Sequence, residues 1–320
     1  MAHRIGIVGL GVMGERMLRN MAKHDAFEVA AAWDPNPATR DMLAAVCPAA
    51  HFAAGPDALV QKAELDCLYV AAPPAHHLDY VALALDHDLA VFCEKPLAID
   101  VAACRAVVAR VERERRVAAI NFPFASAPAV RAIASGLKSP EFGAIERVDI
   151  EVAFQRWPRE WQSSAQWLAD RAEGGFTREV LSHFAFLTAR LIGALRLEHC
   201  RAEFPPDGHS AETSLSAQLT AGDVPVTISG GIRGDIADLN RWIVKGRHGA
   251  FELHDWYSLK RRINGGWLDI DFGEGSIRQR SYIAQLDSLD AMLAGHPHSL
   301  PSFREGLAVQ ESIEAMLRSG

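Results

Sequence analysis

The segment His3-Arg4-Ile5-Gly6-Ile7-Val8-Gly9-Leu10-Gly11-Val12-Met13-Gly14 constrains the fold more than any other. An apolar run enters a Gly-x-Gly-x-x-Gly turn and leaves it as a helix-prone stretch. In such a strand–turn–helix, Gly9 permits the tight turn and Gly11 lets a pyrophosphate approach the backbone. Gly14 lets the helix pack closely on the strand. The helix start, at Val12 and Met13, offers free N–H groups and a positive dipole end to an anion. A dinucleotide is the ligand that suits this turn, although three glycines alone also occur in turns that bind nothing. A second apolar strand, Glu28–Trp33, ends at Asp34. From Gly14 the distance is 34 − 14 = 20 residues, the spacing at which a carboxylate accepts a hydrogen bond from a ribose 2′-hydroxyl. NAD is therefore favoured. NADP stays open, because Arg40 lies near enough to meet a phosphate. Asp34-Pro35-Asn36-Pro37 also reads as a plain turn with an N-cap.

Beyond the turn, apolar runs at Ile5–Val8, Val29–Trp33, Cys67–Ala72, Leu89–Cys93 and Val117–Ile120 alternate with helical patterns. Those patterns lie near Val12–Lys23, Ala38–Val46, His76–His87 and Val101–Arg115. This alternation predicts a doubly wound α/β parallel sheet covered on both faces, a Rossmann domain over residues 1–121. Asp100 is placed to cap the last of these helices. After Asn121 the pattern changes. A short helix near Ala129–Leu137, an extended stretch at Ala144–Phe154 and a helix at Phe176–Ile192 precede a strand-rich region, Leu195–Ile277. Turns at Pro205–Gly208, Ala221–Asp223 and Asn264–Gly266 break that region into hairpins. Helices near Tyr282–Leu293 and Phe303–Arg318 close the chain. Residues 122–320 thus read as an α+β domain with a large, mostly antiparallel sheet, its closing helices able to pack back on the first domain.

Composition removes several classes of function. A net charge of −7 argues against general nucleic-acid binding. No apolar run is long enough to span a bilayer, and a first strand starting at His3 leaves little room for a targeting segment, so none is expected. The five cysteines are odd in number and lack a Cys-x-x-Cys pair. They read as reduced thiols, with no zinc site, and a cytoplasmic location is expected.

Three further clusters carry chemistry. In Val91-Phe92-Cys93-Glu94-Lys95-Pro96 a strand ends in a charged pair, where an open parallel sheet binds its ligand. Lys95 can there donate to a substrate oxygen; the plain alternative is an exposed turn. In Glu173-Gly174-Gly175-Phe176-Thr177-Arg178-Glu179-Val180-Leu181-Ser182-His183, Glu179 and His183 stand four apart on a helix. A carboxylate one turn from an imidazole orients it and favours its charged form, which suits a proton acceptor from an alcohol; a surface Glu–His pair is the plain alternative. Ala71-Ala72-Pro73-Pro74-Ala75-His76-His77 follows another strand. There Ala72, Pro73 and His77 would lie beside a cofactor, or the histidines would cap the next helix. His296 and His298 lie in a loop with no further ligands in view, and a solvated loop is expected.

Taken together, these motifs resemble the Gfo/Idh/MocA family of nicotinamide-dependent oxidoreductases. The match runs through Gly9-x-Gly11-x-x-Gly14, Pro73-Pro74-x-x-His77, Glu94-Lys95-Pro96, and Gly174-Gly175 ahead of His183. The resemblance implies an N-terminal Rossmann domain followed by an α+β domain whose open sheet forms a homodimer or homotetramer contact. It implies that Lys95 and His183 face the nicotinamide across the domain cleft, and that the Lys95–Pro96 bond is cis. Two departures stand out. Glu179 replaces the family's usual Asp one turn before the histidine. Leu181 and Phe186 replace Gly and Asp around it, which makes the site less polar.

Trp157, Trp161 and Trp167 precede this helix with Arg156, Arg159 and Arg171 among them. Aromatic faces suit sugar or apolar rings and Arg suits a carboxylate, whereas packing of the sheet or of an oligomer contact would use the same tryptophans. Asn121 and Phe122 are further candidates for a pocket lining. The combined reading is hydride transfer between a nicotinamide cofactor and the CH–OH/C=O carbon of a small polyol, sugar, sugar acid or related cyclic substrate. Imine or activated C=C reduction is the alternative within enzymes. A non-catalytic dinucleotide sensor is the alternative outside them.

Overall fold

The computed structural model describes residues 2–319 except 63, 164 and 264; Asn264 of the third predicted turn therefore lies outside the described residues. The chain divides into two compact units. The first comprises residues 1–125 and 282–307, the second residues 126–281 and 308–320.

In the first unit, strands β1 (His3–Val8), β2 (Phe27–Trp33), β3 (His51–Phe52), β4 (Cys67–Val70), β5 (Ala90–Glu94) and β6 (Ala118–Asn121) form one sheet in the order β3-β2-β1-β4-β5-β6. Every pairing in it is parallel. Helices α1 (Val12–Met21), α2 (Thr39–Val46), α3 (Pro56–Lys62), α4 (His77–Asp86) and α5 (Val101–Arg113) connect the strands. The strand order reverses between β1 and β4, the point at which open sheets of this kind bind ligands. Asp100 caps α5, its Oδ1 accepting from the N–H groups of Ala102 and Ala103. Strand β3 and helix α3 were not legible in the sequence, because a two-residue strand carries no alternation to read.

Helix α8 (Ile277–Leu293) starts five residues before the periodic apolar pattern does. The Ser276 hydroxyl accepts from the Gln279 N–H at 3.3 Å, so Ser-x-x-Gln begins the helix. Its residues Tyr282, Leu286, Leu289 and Met292 join Ile5, Ile7, Met17, Leu18 and Phe92 in one buried cluster. Two histidines of the first unit reach the same helix: His3 pairs with Asp290 at 3.0 Å and His24 with Asp287 at 3.1 Å.

The second unit is built on an eight-stranded sheet, β14-β13-β12-β11-β7-β10-β9-β8. The strands are β7 (Ile145–Phe154), β8 (Leu195–Glu203), β9 (Ser214–Ala221), β10 (Val224–Ile232), β11 (Leu239–Gly246), β12 (Ala250–His254), β13 (Ser258–Ile263) and β14 (Gly266–Asp269). Among the described residues, only the β7–β10 pairing of this sheet is parallel. Along β9, Leu215, Ala217, Leu219 and Ala221 are buried while Ser216 and Gln218 are exposed, the alternation of a sheet with one covered face. On the other side, Arg241 pairs with Glu151 at 2.6 Å and Lys245 with Asp149 at 2.9 Å. Helix α6 (Pro128–Leu137), helix α7 (Ser182–Leu191) and the last part of α9 (Phe303–Leu317) complete this unit. A fully buried Trp242 ties β11 to α7 by donating from Nε1 to the Thr188 hydroxyl at 2.8 Å.

Candidate active site

The glycine turn sits at the carboxyl end of β1, and each glycine has its own reason. Gly9 has φ +89° and a Cβ there would lie 2.6 Å from the Ala71 carbonyl, so the turn closes against the end of β4. A Cβ on Gly14 would lie 1.9 Å from the Gly9 carbonyl oxygen. Gly11 is different: nothing lies within 4 Å of its Cβ position. No side chain caps the start of α1. Open space over Gly11 and an uncapped ten-residue helix make a cradle that fits a pyrophosphate.

Asp34 holds this cradle. Its Oδ2 accepts from the Leu10 N–H at 2.7 Å and its Oδ1 from the Asn36 N–H at 2.8 Å. A carboxylate has about four acceptor positions, so capacity for ribose hydroxyls remains after these two bonds. The Arg40 guanidinium lies over the Phe52 ring, 5.0 Å from its centroid.

His77 is buried, and both ring nitrogens are engaged by main-chain carbonyls. Nε2 lies 2.7 Å from the Ala72 oxygen and Nδ1 2.7 Å from the Pro96 oxygen. The ring thus joins the end of β4 to the Glu94-Lys95-Pro96 segment, and it does not cap a helix. Burial pushes its pKa down to about 4, against the pull of the two carbonyls and with help from the Lys95 charge. The Lys95–Pro96 bond is cis.

Glu94 turns inward. It is 6% exposed and its Oε1 accepts from the Tyr69 hydroxyl and, at 2.6 Å, from the Asn121 amide. Gln285 of α8 donates to the Asn121 carbonyl oxygen. Burial and the Glu94 carboxylate hold the Tyr69 hydroxyl protonated well above the usual range. This network anchors the ends of β4, β5 and β6, and Lys95 directly follows β5. Asn121 is a member of it, and Phe122 is packed in the core at 2% exposure.

In the second unit the helix carrying Glu179 and His183 opens with a π-helical turn, Thr177–Leu181, before continuing as α7. Such turns recur at functional positions. The two glycines before it are steric necessities. A Cβ on Gly174 would lie 2.4 Å from the Leu168 carbonyl oxygen, and one on Gly175, at φ +93°, 2.1 Å from a Glu212 carboxylate oxygen. Glu212 is 1% exposed and accepts from the Thr177 N–H at 2.7 Å, so it caps the helix start. Burial raises its pKa, partly opposed by Thr177 and Arg178. Arg178 is held by Glu314 through two bonds of 2.6 and 3.0 Å and by the carbonyls of Arg171 and Gly174.

Glu179 Oε1 accepts from the Gln162 amide at 3.2 Å, and Gln162 Oε1 accepts from Arg159 Nε at 2.8 Å. The Arg159 guanidinium in turn stands over Phe154, Trp157 and Trp161. A relay therefore links the tryptophan-rich segment to the acidic residue ahead of His183. Trp157 is wedged against Phe154 and Phe176 with its N–H donated to Leu168, while Trp161 is 49% exposed. Trp167 is half-buried. Arg171 lies over Phe204. His183 is 8% exposed and meets the indole of Trp256 edge to face, at 5.3 Å between ring centroids.

Gln162, Glu212 and Trp256 carried no signal in the sequence. None lies in a motif, and each reaches the helix only through the fold. Among the described residues, no group of three or more His, Cys, Asp or Glu is placed to hold a metal ion, and no helix is long and apolar enough to cross a membrane. Among the described residues no two cysteines are joined by a disulfide, and burial pushes the Cys67 thiol up to about 12.

Residues 3–122 match the model of the oxidoreductase family with an NAD-binding Rossmann fold. The first domain belongs to the Gfo/Idh/MocA oxidoreductase family. An inositol 2-dehydrogenase of Pseudomonas fluorescens is 32% identical over 126 residues, 38% of this chain and 37% of that protein. An oxidoreductase of Streptococcus pneumoniae is 37% identical over 105 residues, 33% of this chain and 28% of that protein. The aligned part thus spans about a third of these relatives' length. The whole chain shares its fold with an oxidoreductase from Agrobacterium radiobacter, solved with NAD+, L-tartaric acid and magnesium. The TM-score is 0.87 at 15% identity, over 100% of this chain and 96% of that one.

Proposed function

We propose that this protein is an NAD-dependent dehydrogenase acting on the CH–OH carbon of a small polyol, sugar or sugar acid. The observation that carries the reading is the pairing of two ready-made parts in one chain. One is an uncapped glycine cradle with Asp34 at its ribose position. The other is a helix on which Glu179 and His183 follow a Gly-Gly turn. The inositol dehydrogenase relative supports the substrate class, and the Agrobacterium neighbour's NAD+ supports the cofactor.

Bound NAD would supply the hydride-accepting chemistry. Gly9, Gly11, Val12, Met13 and Gly14 would hold its pyrophosphate, and Asp34 its adenosine ribose, where a 2′-phosphate would meet a carboxylate. His183 takes the proton of the substrate hydroxyl, with Glu179 orienting the imidazole and favouring its charged form. Lys95 holds the developing alkoxide. Assembly through the exposed face of the eight-stranded sheet belongs to the same reading, and light scattering of the purified protein tests it.

The deciding experiment follows reduced-cofactor absorbance with NAD or NADP against polyols, sugar acids, keto compounds and imines. Turnover with a polyol or sugar acid and NAD is expected. Tight NAD binding with no turnover on any compound would replace the enzyme by a dinucleotide sensor.

A further inference from the structure

We infer that Trp256 is a positioning residue for His183, its indole held against the imidazole by a turn that is strained for this purpose. The inference rests on the proton-accepting role of His183 stated above, and it concerns a residue in no motif of the chain.

Strand β12 ends at His254 and β13 begins at Ser258, leaving Asp255, Trp256 and Tyr257 to connect them. Asp255 has φ 47° and Trp256 φ 71°. The Tyr257 N–H donates to the Asp255 carbonyl at 2.9 Å, an i→i+2 bond around a residue with positive φ. That arrangement is rare and strained in L-residues. Glycine takes these angles without steric cost, yet the position holds the bulkiest side chain.

The fold compensates for the strain from outside the hairpin. Asn240 of β11 is 8% exposed. Its Oδ1 accepts from the Trp256 N–H at 2.8 Å, and its carbonyl oxygen from the Asp255 N–H at 3.3 Å. What the strained turn achieves is contact with two consecutive residues of α7. The indole meets His183 at 5.3 Å between ring centroids and an interplanar angle of 85°, and Phe184 at 6.0 Å and 30°. The last torsion of a histidine side chain is broad, so an imidazole needs a neighbour to select one orientation. An acceptor nitrogen misplaced by about 1 Å loses on the order of a hundredfold in rate. An indole standing edge to face supplies that selection on one side.

The test compares Trp256→Gly and Trp256→Phe with the wild-type full-length protein saturated with NAD. Glycine fits the turn, so its thermal midpoint is expected to stay level or rise, with NAD affinity within about twofold, since the loop makes no part of the cradle. In protein labelled with 13C in the histidine rings, the His183 signal, assigned by its loss in His183→Gln, should broaden or split in Trp256→Gly. It should remain single and sharp in Trp256→Phe. With myo-inositol as the probe substrate, kcat of Trp256→Gly should fall about tenfold or more while KM changes less than about threefold, and Phe should restore most of it. A single sharp His183 signal in Trp256→Gly overturns the inference. So does a large loss of thermal stability that Phe does not repair, which would make Trp256 ordinary packing. Failure of the wild type to oxidise myo-inositol bears on the proposed reaction alone, because the labelled-histidine signal reads the imidazole without substrate.

Discussion

The glycine turn of the first unit and the Glu179–His183 helix of the second are built by opposite means. The turn is made of main chain. Six consecutive residues shape it, Asp34 ties it down through the Leu10 N–H, and its specificity lies in where a Cβ is forbidden. The helix is made of side chains gathered from a distance. Gln162 aligns Glu179, Glu212 caps the first turn, Glu314 neutralises Arg178, and Trp256 stands against His183. A main-chain site is insensitive to most substitutions and intolerant of a few. A side-chain site spreads its dependence over residues far apart in sequence, each contributing a modest share.

That contrast can be broken at specific points. The largest effect is expected for Lys95→Ala, which removes the group proposed to hold the alkoxide. Turnover should fall about 10²–10⁴-fold with NAD affinity nearly unchanged in calorimetry, and wild-type turnover would remove Lys95 from the mechanism. Next comes Gly14→Ala. Its Cβ would have to displace the Gly9 carbonyl, 1.9 Å away, and NAD affinity should fall by about a hundredfold, or ~2.7 kcal/mol. Unaltered affinity would show that the turn is looser than its geometry implies.

The third prediction concerns pH. His77 titrates at about 4 in the folded protein and at about 6.5 in the unfolded chain. Between these values the unfolded chain binds the extra proton, so stability is full above pH 6.5 and is lost as pH falls toward 4. From pH 6.5 to 5 the loss should reach about 2 kcal/mol in urea titrations. His77→Gln should flatten that slope; an identical slope in the variant would assign the pH dependence elsewhere. Smaller still is Gln162→Leu, which takes the donor from Glu179 and should lower kcat/KM about tenfold. An unchanged value would mean Glu179 aligns without the Arg159–Gln162 relay. The smallest is Asp34→Ala: NAD should weaken about fivefold and NADP less, as read by competitive binding. Equal weakening of both would sink the assignment of Asp34 to the ribose.

Much of this was legible in the sequence, for identifiable reasons. Gly9–Gly14, Asp34 and the strand–helix alternation depend on contacts between near neighbours or on a fixed spacing. That Glu179 and His183 share one helical stretch was also legible, because both stand within a single apolar period. The Gly174-Gly175 pair was visible as a motif, but its cause was not: it exists because the Leu168 carbonyl and the Glu212 carboxylate occupy the space a Cβ would need. The π-helical turn at Thr177–Leu181 had no signature either, since the apolar period across it reads as an ordinary helix.

The sequence by itself determined the glycine turn, the order of elements in the first sheet and the family resemblance of the first domain. These rest on backbone conformations that glycine alone permits and on periods of two and of 3.6 residues, both local properties. Only the tertiary structure decided which side chains serve His183 and Glu179. Gln162, Glu212 and Trp256 reach that helix from a loop, a strand entrance and a hairpin tip. Their proximity comes from the packing of the sheet against the helix, and no spacing along the chain encodes it.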